Sequence, residues 1–238
     1  MELCGEFAVR IYVCEDMSEK KIEKIGNEKF SAVFAKKCIC DFLDIDTAKY
    51  SVAFKYNTYG KPFIKDIYGA DGARFDIAPQ FSFSISHSEN IIVCAAAYFN
   101  IGVDCQKKSI GDANKCRKIA KRFYADVENE FLDALESDEE YINNFFEIWA
   151  KKEAYVKYTG RGIAEGMKNF SVADCESGQR NYFQDVIFKR IDIGGKGDTK
   201  DKRDRKDFVV YLCCNKCDND ENNTNQPEIL LRGINFYV

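Results

Sequence analysis

FSFSISHSENIIVCAAAYFNIGVDCQ, residues 81–106, contains three strand-like runs with almost nothing between them. Phe81–Ser86 and Ile91–Tyr98 are joined by the short polar turn His87–Asn90, and Asn100–Cys105 follows directly. The runs are rich in β-branched and aromatic residues, and no helical segment separates them. This order favours antiparallel strands of an α+β fold over the alternating βαβ units of a parallel sheet.

The rest of the chain supplies helices and further strands. Apolar spacing predicts helices at 22–43, 112–127 and 139–159, and strand-like runs fall at 7–13, 169–173, 183–193, 208–214 and 228–238. Glycine, proline and charge predict loops at 56–79, 194–207 and 218–227. Each half thus holds a helix or two and several antiparallel strands, so we expect an N-terminal half, residues 1–99, and a C-terminal half, residues 100–238.

The composition of the chain excludes several classes of protein. Its 238 residues are 45% hydrophobic and 31% charged, as in ordinary globular proteins. The net charge of −4 gives no indication of nucleic-acid binding. The longest apolar run, Ile91–Phe99, is about half of what a membrane-spanning helix requires, so no membrane association is expected. The start, Met1–Cys4, does not resemble a secretory signal, so we expect the protein in the cytoplasm.

Eleven cysteines are more than most chains of this length carry. Several lie inside apolar patterns, and in a reducing compartment they are most simply small buried hydrophobic residues. Cys214 and Cys217 have the spacing of metal ligands, but no second pair completes a four-ligand zinc site. A cysteine-rich metal-binding interaction module therefore stays open as an alternative.

The most informative helical stretch is FFEIWAKKEAYVKYTGRGI, Phe145–Ile163. At about 100° per residue, one face collects four apolar residues: Phe146, Trp149, Ala150 and Val156. Lys151 and Tyr158 lie opposite, whereas Glu153 and Lys157 fall within the apolar face. Two interpretations are open: an ordinary ion pair between residues four apart, or a pair of charges that binds something of opposite charge.

Three further residues are candidates for chemistry. Asp104 ends an apolar strand and suits a hard cation, although aspartate at a strand end is more often a turn or cap residue. His87, the only histidine, lies between two serines as an exposed donor, where a turn-capping role is the alternative. Lys61 stands on a turn fixed by Gly60 and Pro62.

In order, the motifs GKP, FSISHS, GVD and WAKKEAYVKYTGRGI resemble the phosphopantetheinyl transferases of the surfactin-synthetase type. The resemblance extends from Tyr59 to Ile163. It implies two similar α+β halves related by a pseudo-twofold axis, with coenzyme A and Mg²⁺ in the cleft between them. The implied reaction moves the 4′-phosphopantetheine group from coenzyme A to a serine of a carrier protein.

The resemblance also implies roles for residues near the transferred group. Asp104 and Glu153 would be carboxylate ligands of Mg²⁺, which prefers oxygen. Lys157 would reach the pyrophosphate of coenzyme A, and Lys152 would hold phosphate or the pantetheine arm. Many relatives have an acidic residue where this chain has Gln106, whose amide oxygen can still bind the metal but brings no charge.

The remaining implied roles concern the nucleotide end and the proton. Lys61, Ser86 and His87 match residues that contact the nucleotide, with His87 donating to the 3′-phosphate. Glu128 matches a glutamate often assigned as the general base for the carrier serine, a task that metal-bound water or Glu153 could share.

The expected partner is an acyl or peptidyl carrier protein. Five basic residues precede Glu128 and form a plausible docking face for an acidic carrier, or else simply a solvated helix face: Lys115, Arg117, Lys118, Lys121 and Arg122. Because the two-half plan would place a complete cleft in one chain, we expect a monomer. A protein that binds coenzyme A or a nucleotide without transferring anything is the second alternative.

Overall fold

A computed structural model of the protein describes residues 8–14, 29–108, 113–162, 166–173, 186–193, 206–215 and 227–233. This part of the chain contains four α-helices, α1 Phe30–Phe42, α2 Ala113–Phe123, α3 Asp126–Asp133 and α4 Asp138–Thr159. It also contains nine strands, β1 Ala8–Cys14, β2 Tyr50–Tyr56, β3 Pro62–Gly69, β4 Ser82–Ser88, β5 Ile91–Ala97, β6 Ile101–Lys107, β7 Val186–Arg190, β8 Phe208–Asn215 and β9 Glu228–Gly233. The predicted α+β class is confirmed.

The first sheet has the strand order β4-β5-β1-β9. Its first three strands are antiparallel, with Tyr12 of β1 opposite Cys94 of β5. Strand β9 adds to β1 in parallel, with Leu231 opposite Ile11. Helix α1 packs on this sheet, and the core between them includes Phe34. Because β9 comes from the end of the chain, the sheet crosses the expected boundary at residues 99 and 100.

The second sheet has the order β6-β8-β7 and is antiparallel throughout. Helix α4 packs against β6 and β8. Ser137 caps the start of this helix by accepting from the Glu140 amide, and Gly160 ends it in a left-handed conformation at φ 67°. Each of these two sheets therefore has a helix packed against a set of three antiparallel strands. The pseudo-twofold axis between them stays a prediction.

Strands β2 and β3 form a separate two-stranded hairpin. The prediction of loops over residues 56–79 was wrong for β3. The error came from Pro62, which is typical of a loop. Proline is also tolerated at the first residue of an edge strand, and Pro62 has that position in β3. The turn at the tip contains Gly60 with φ 87°, which brings Lys61 back toward the body of the protein.

Other boundaries also differ from the sequence prediction. His87 belongs to β4, opposite Ile92, so the turn between β4 and β5 is shorter than predicted. The expected helix at 112–127 is broken between Phe123 and Asp126, where Ala125 has an extended backbone and forms the N-cap of α3. The strand expected at residues 169–173 is not formed: residues 167–169 form a 3₁₀ turn, and residues 170–172 are neither helix nor strand.

Several expectations fall outside the described residues. They concern the first part of the helix at 22–43, Asp112, Cys217 and most of the loops at 194–207 and 218–227. Helix α1 itself begins at Phe30. Within the ranges that the structure covers, no helix is long and apolar enough to cross a membrane.

Candidate active site

The carboxylate of Asp104 is the centre of the polar cluster between α4 and β6. Its Oδ1 accepts from Lys157 Nζ at 2.6 Å and from Ser86 Oγ at 2.8 Å. Its Oδ2 accepts from Gln106 Nε2 at 2.8 Å. Asp104 is 2% exposed, so water cannot solvate its carboxylate. These three donors supply the hydrogen bonds that water would otherwise provide.

A glycine lets strand and helix come close enough for this cluster to form. A Cβ atom on Gly102 would lie 2.0 Å from the carbonyl oxygen of Ala154 and 2.4 Å from the amide of Tyr158. Both atoms belong to the α4 backbone and cannot move aside easily. The glycine of the GVD motif therefore allows β6 to lie directly on α4, which places Asp104 within reach of Lys157.

Serine side chains join β4 to β6 beside the cluster. Alternate β6 amides donate to alternate β4 hydroxyls, Val103 to Ser84 at 3.0 Å, Cys105 to Ser86 at 3.1 Å and Lys107 to Ser88 at 2.9 Å. The serines of FSISHS thus connect the two sheets through side chains. Only the alternation of the serines themselves could have indicated these hydrogen bonds from the sequence.

Glu153 faces the same cluster from α4. Burial raises the pKa of the Glu153 carboxyl to about 7, Asp104 adds to the rise, and Lys157 opposes it. Lys157 makes its short ion pair with Asp104, across the gap between helix and strand. The cluster thus contains two carboxylates and one ammonium group, an excess of negative charge in a partly buried place.

This donor set fits a hard divalent cation. The two carboxylates of Asp104 and Glu153 and the amide oxygen of Gln106 are the kind of ligand that Mg²⁺ takes, usually one or two carboxylates with waters and phosphate oxygens. Among the residues that the structure describes, no cluster of three or more His, Cys, Asp or Glu could hold a metal ion. A site with two carboxylates, completed by water and substrate, is consistent with that result.

Lys61 lies at the end of α4, beyond the cluster. Its Nζ donates to the carbonyl of Tyr158 at 3.1 Å, and the Asn57 side chain donates to the carbonyl of Gly160 at 2.7 Å. Burial lowers the pKa of Lys61 to about 8. The tip of the β2–β3 hairpin is thereby attached to the carboxyl end of α4, where a cation is favourable.

His87 and Ser86 lie next to each other on β4 but face different surroundings. His87 is exposed, as expected for a donor to substrate. Ser86 is 5% exposed, and its hydroxyl supports Asp104. Any contact of Ser86 with a nucleotide stays a prediction.

Glu128 and Lys152 lie outside the cluster, in the core. Both side chains are 0% exposed, and Lys152 Nζ lies 2.8 Å from Glu128 Oε2. A general base must reach the proton that it accepts, and a phosphate ligand must reach the phosphate. The structure does not support either predicted role, because both groups are enclosed and bound to each other. The sequence signal for this pair was weak, since the residues are 24 positions apart.

The prediction for Lys151 on this helix was also wrong. It was expected on the face opposite the apolar one, but it is 6% exposed and its Nζ lies 5.2 Å from the centre of the Tyr211 ring. Helix α4 is therefore covered on more sides than its pattern of apolar residues indicated, because strand β8 packs against it as well as β6.

The basic residues of α2 divide into two groups. Arg117 donates to Asp138 at 2.7 Å and lies over the ring of Tyr141, so it joins α2 to α4. Four others form an exposed basic patch, Lys115, Lys118, Lys121 and Arg122. On the following helix, Val127 and Phe131 are each 44% exposed and lie four residues apart.

Comparison with known proteins identifies this arrangement. Residues 100–213 match the family model described as the 4′-phosphopantetheinyl transferase superfamily. This segment, just under half of the chain, is therefore similar to that superfamily. The match contains Asp104, Gln106, Glu153 and Lys157, which form the cluster, whereas Lys61, Ser86 and His87 precede it.

Individual 4′-phosphopantetheinyl transferases show the same similarity. The chain is 31% identical over 140 residues to the 4′-phosphopantetheinyl transferase gsp of Aneurinibacillus migulanus, covering 59% of this chain and 49% of that protein. It is 33% identical over 132 residues to the 4′-phosphopantetheinyl transferase Sfp of Bacillus subtilis strain 168, covering 55% and 51%. It is 36% identical over 115 residues to the 4′-phosphopantetheinyl transferase HetI of Nostoc sp. PCC 7120, covering 48% and 44%. The matched segment spans about half the length of these relatives, and the resemblance read from the motifs is confirmed.

Proposed function

We propose that the protein transfers the 4′-phosphopantetheine group from coenzyme A to a serine of an acyl or peptidyl carrier protein, with release of 3′,5′-ADP. The observation that carries the proposal is the cluster of Asp104, Glu153 and Lys157. It lies within the segment that matches the superfamily, and its charges suit a cation and a pyrophosphate. In the reaction the serine oxygen forms a bond to the phosphorus of the phosphopantetheine, and the bond from that phosphorus to the 3′,5′-ADP oxygen breaks.

Each residue of the cluster has a task in this proposal. Asp104, Glu153 and the amide oxygen of Gln106 would hold Mg²⁺, which when bound would neutralise charge on the pyrophosphate. Lys157 turns from Asp104 to the pyrophosphate and stabilises the departing 3′,5′-ADP. Because Glu128 is enclosed, we assign the acceptance of the serine proton to Glu153.

We assign the nucleotide end of coenzyme A to the residues that precede the superfamily match. His87 is exposed on β4 and donates to the 3′-phosphate. Lys61 supplies a positive charge at the tip of the β2–β3 hairpin, close to the end of α4. Ser86 orients Asp104 and, through it, the cluster.

We assign carrier docking to the exposed basic patch on α2 together with Val127 and Phe131 on α3. Carrier proteins are typically acidic around the modified serine, so the charges are complementary. The apolar pair provides surface that would become buried on docking. We place the reaction in the cytoplasm, where the eight cysteines that the structure describes, all of them buried, would stay reduced. One chain acting as a monomer is sufficient for this scheme.

Intact-mass spectrometry of a carrier protein tests the proposal. The carrier is incubated with the protein, coenzyme A and Mg²⁺, with an EDTA control. A gain of about 340 Da that EDTA abolishes supports phosphopantetheine transfer. No gain with several different carriers, while coenzyme A still binds, would show a binding protein without transferase activity. Elemental analysis of the same preparation tests the cysteine-rich module, which requires stoichiometric zinc.

A further inference from the structure

Glu128 and Lys152 form an ion pair that uses nearly all of the hydrogen-bonding capacity of both groups. Lys152 Nζ bonds Glu128 Oε2 at 2.8 Å, the Met167 carbonyl at 2.8 Å and the Phe170 carbonyl. An ammonium group has three donors, so none is left for a substrate. Its charge also lies 4.3 Å from the centre of the Phe170 ring and 5.7 Å from that of Tyr124.

The carboxylate is equally committed. Glu128 Oε1 accepts from the Val172 amide at 2.7 Å, and Oε2 accepts from the Ala125 amide at 2.9 Å as well as from Lys152. The Ala125 bond closes the first turn of α3. The Val172 bond reaches a residue 44 positions away. One carboxylate therefore joins the start of α3 to the segment that follows α4.

The pair connects three elements at one point: α3 through Glu128, α4 through Lys152, and residues 167–172 through their backbone. Lys152 immediately precedes Glu153 on α4. Rotation of α4 about its axis that moved Glu153 relative to Asp104 would also pull Lys152 away from its three acceptors. Leaving a buried charge without partners is strongly unfavourable, so the pair opposes that rotation.

We propose that Glu128 and Lys152 are positioning residues whose buried ion pair fixes the rotation of α4, holding Glu153 and Lys157 against Asp104, and that Glu128 exchanges no proton with substrate. The inference rests on the proposed function for its effect on transfer. Its geometric part, the rotation of α4, is independent of that function.

A double-mutant cycle separates this role from general-base catalysis. The proteins are the wild type, Glu128→Gln, Lys152→Gln and the variant with both changes. Each single change leaves one buried charge without its counter-ion, whereas the double variant has two neutral amides that still donate and accept. We expect each single variant to lose kcat and the double variant to exceed either by about tenfold, since directly bonded residues are non-additive.

The pH profile of kcat gives a second distinction. If Glu128 were the base, both variants that lack its carboxylate would lose the acid limb of the profile, and the double variant would be as inactive as Glu128→Gln. If the pair positions α4, the double variant keeps the acid limb of the wild type. A double variant no more active than Glu128→Gln would overturn the proposal.

Two control variants show whether a loss of kcat reflects stability alone. Leu132→Ala removes a fully buried side chain from α3 and lowers stability while it keeps both charges of the pair. Lys168→Gln removes a surface ion pair to Asp126 that joins the same segment to α3. We expect both controls to keep kcat at a temperature where they remain folded. Loss of kcat in Leu132→Ala equal to that in Glu128→Gln would contradict positioning.

A readout independent of transfer keeps the inference testable if the proposed function fails. Trp149 is the only tryptophan, and it packs from α4 against Phe123 and Tyr124. Its fluorescence therefore reports the rotation of α4. We expect shifted emission in both single variants and near wild-type emission in the double variant. If the wild type modifies no carrier, the proposed function fails; unchanged emission in the single variants would instead overturn the positioning role.

Discussion

Lys157 Nζ lies 2.6 Å from Asp104 Oδ1, in an ion pair that joins α4 to β6. Asp104 is almost fully buried, whereas the Lys157 side chain is 28% exposed. The lysine is thus the partner that is able to turn toward a ligand. This relationship explains why an ammonium group lies on the core-facing side of α4, and it leads to the predictions below.

Replacement of Gly102 by alanine should separate the strand from the helix. The new Cβ would fall 2.0 Å from the Ala154 carbonyl, so β6 or α4 must move. We expect a loss of about 3 kcal/mol in the free energy of unfolding, at the upper end of overpacking effects, and a larger relative loss of transfer activity. Urea unfolding and a transfer assay measure the two. A Gly102→Ala protein with wild-type stability would contradict the described contact.

Replacement of Gln106 by glutamate should strengthen Mg²⁺ binding. The change adds a negative charge beside Asp104, next to the place that a divalent cation would occupy. Calorimetric titration of the metal into wild type and variant measures the effect without any transfer reaction. Gln80→Glu, on the connection before β4, serves as a matched control with the same change of charge. No gain for Gln106→Glu over the control would remove Gln106 from the metal site.

The raised pKa of Glu153 predicts a pH-dependent stability without metal. In the folded protein, burial and the neighbouring Asp104 raise the pKa of the Glu153 carboxyl to about 7, above its ordinary value of 4.5. The folded state therefore binds more protons than the unfolded state between these values, and the stabilisation is present below pH 4.5 and lost as the pH rises through 7. In EDTA, we expect the Tm of the wild type to fall relative to the Tm of Glu153→Gln as the pH rises from 5.5 to 8.5. A difference independent of pH would contradict the raised pKa.

Charge reversal in the exposed basic patch should weaken carrier recognition alone. We expect Lys118→Glu with Lys121→Glu to raise KM for the carrier by about tenfold and to leave coenzyme A affinity unchanged, since only association with an acidic partner is affected. Lys55→Glu with Lys65→Glu, on the β2–β3 hairpin, is the matched control. Equal effects of the two double variants, or none, would remove the patch from the docking surface.

The sequence predicts the parts of the fold that have strong local signals. Helix α4 was placed to within a residue because its apolar spacing is regular and Gly160 marks its end. Hairpin β2–β3 was missed because Pro62 and neighbouring glycines resemble a loop. Strand β9 was recognised, but its pairing with β1 was not, since a parallel partner more than 200 residues away leaves no local pattern.

The residues of the candidate site also differ in how well the sequence predicted them. Glu153 and Lys157 were found from sequence because their charges interrupt an apolar face. The burial of Glu128 against Lys152 was not predicted, because no pattern in the chain shows that both side chains turn into the core and bind each other. Their contacts depend on residues 167–172, which approach α3 only in the folded protein.

The most direct test of the account measures both products of the reaction together. Carrier protein, coenzyme A and Mg²⁺ are incubated with wild type or with Glu153→Gln, and 3′,5′-ADP is quantified by chromatography alongside the mass of the carrier. If the cluster transfers phosphopantetheine, we expect one 3′,5′-ADP for each carrier that gains about 340 Da, with both products reduced at least 100-fold in the variant. Equal product from wild type and Glu153→Gln, or 3′,5′-ADP without a modified carrier, would contradict it.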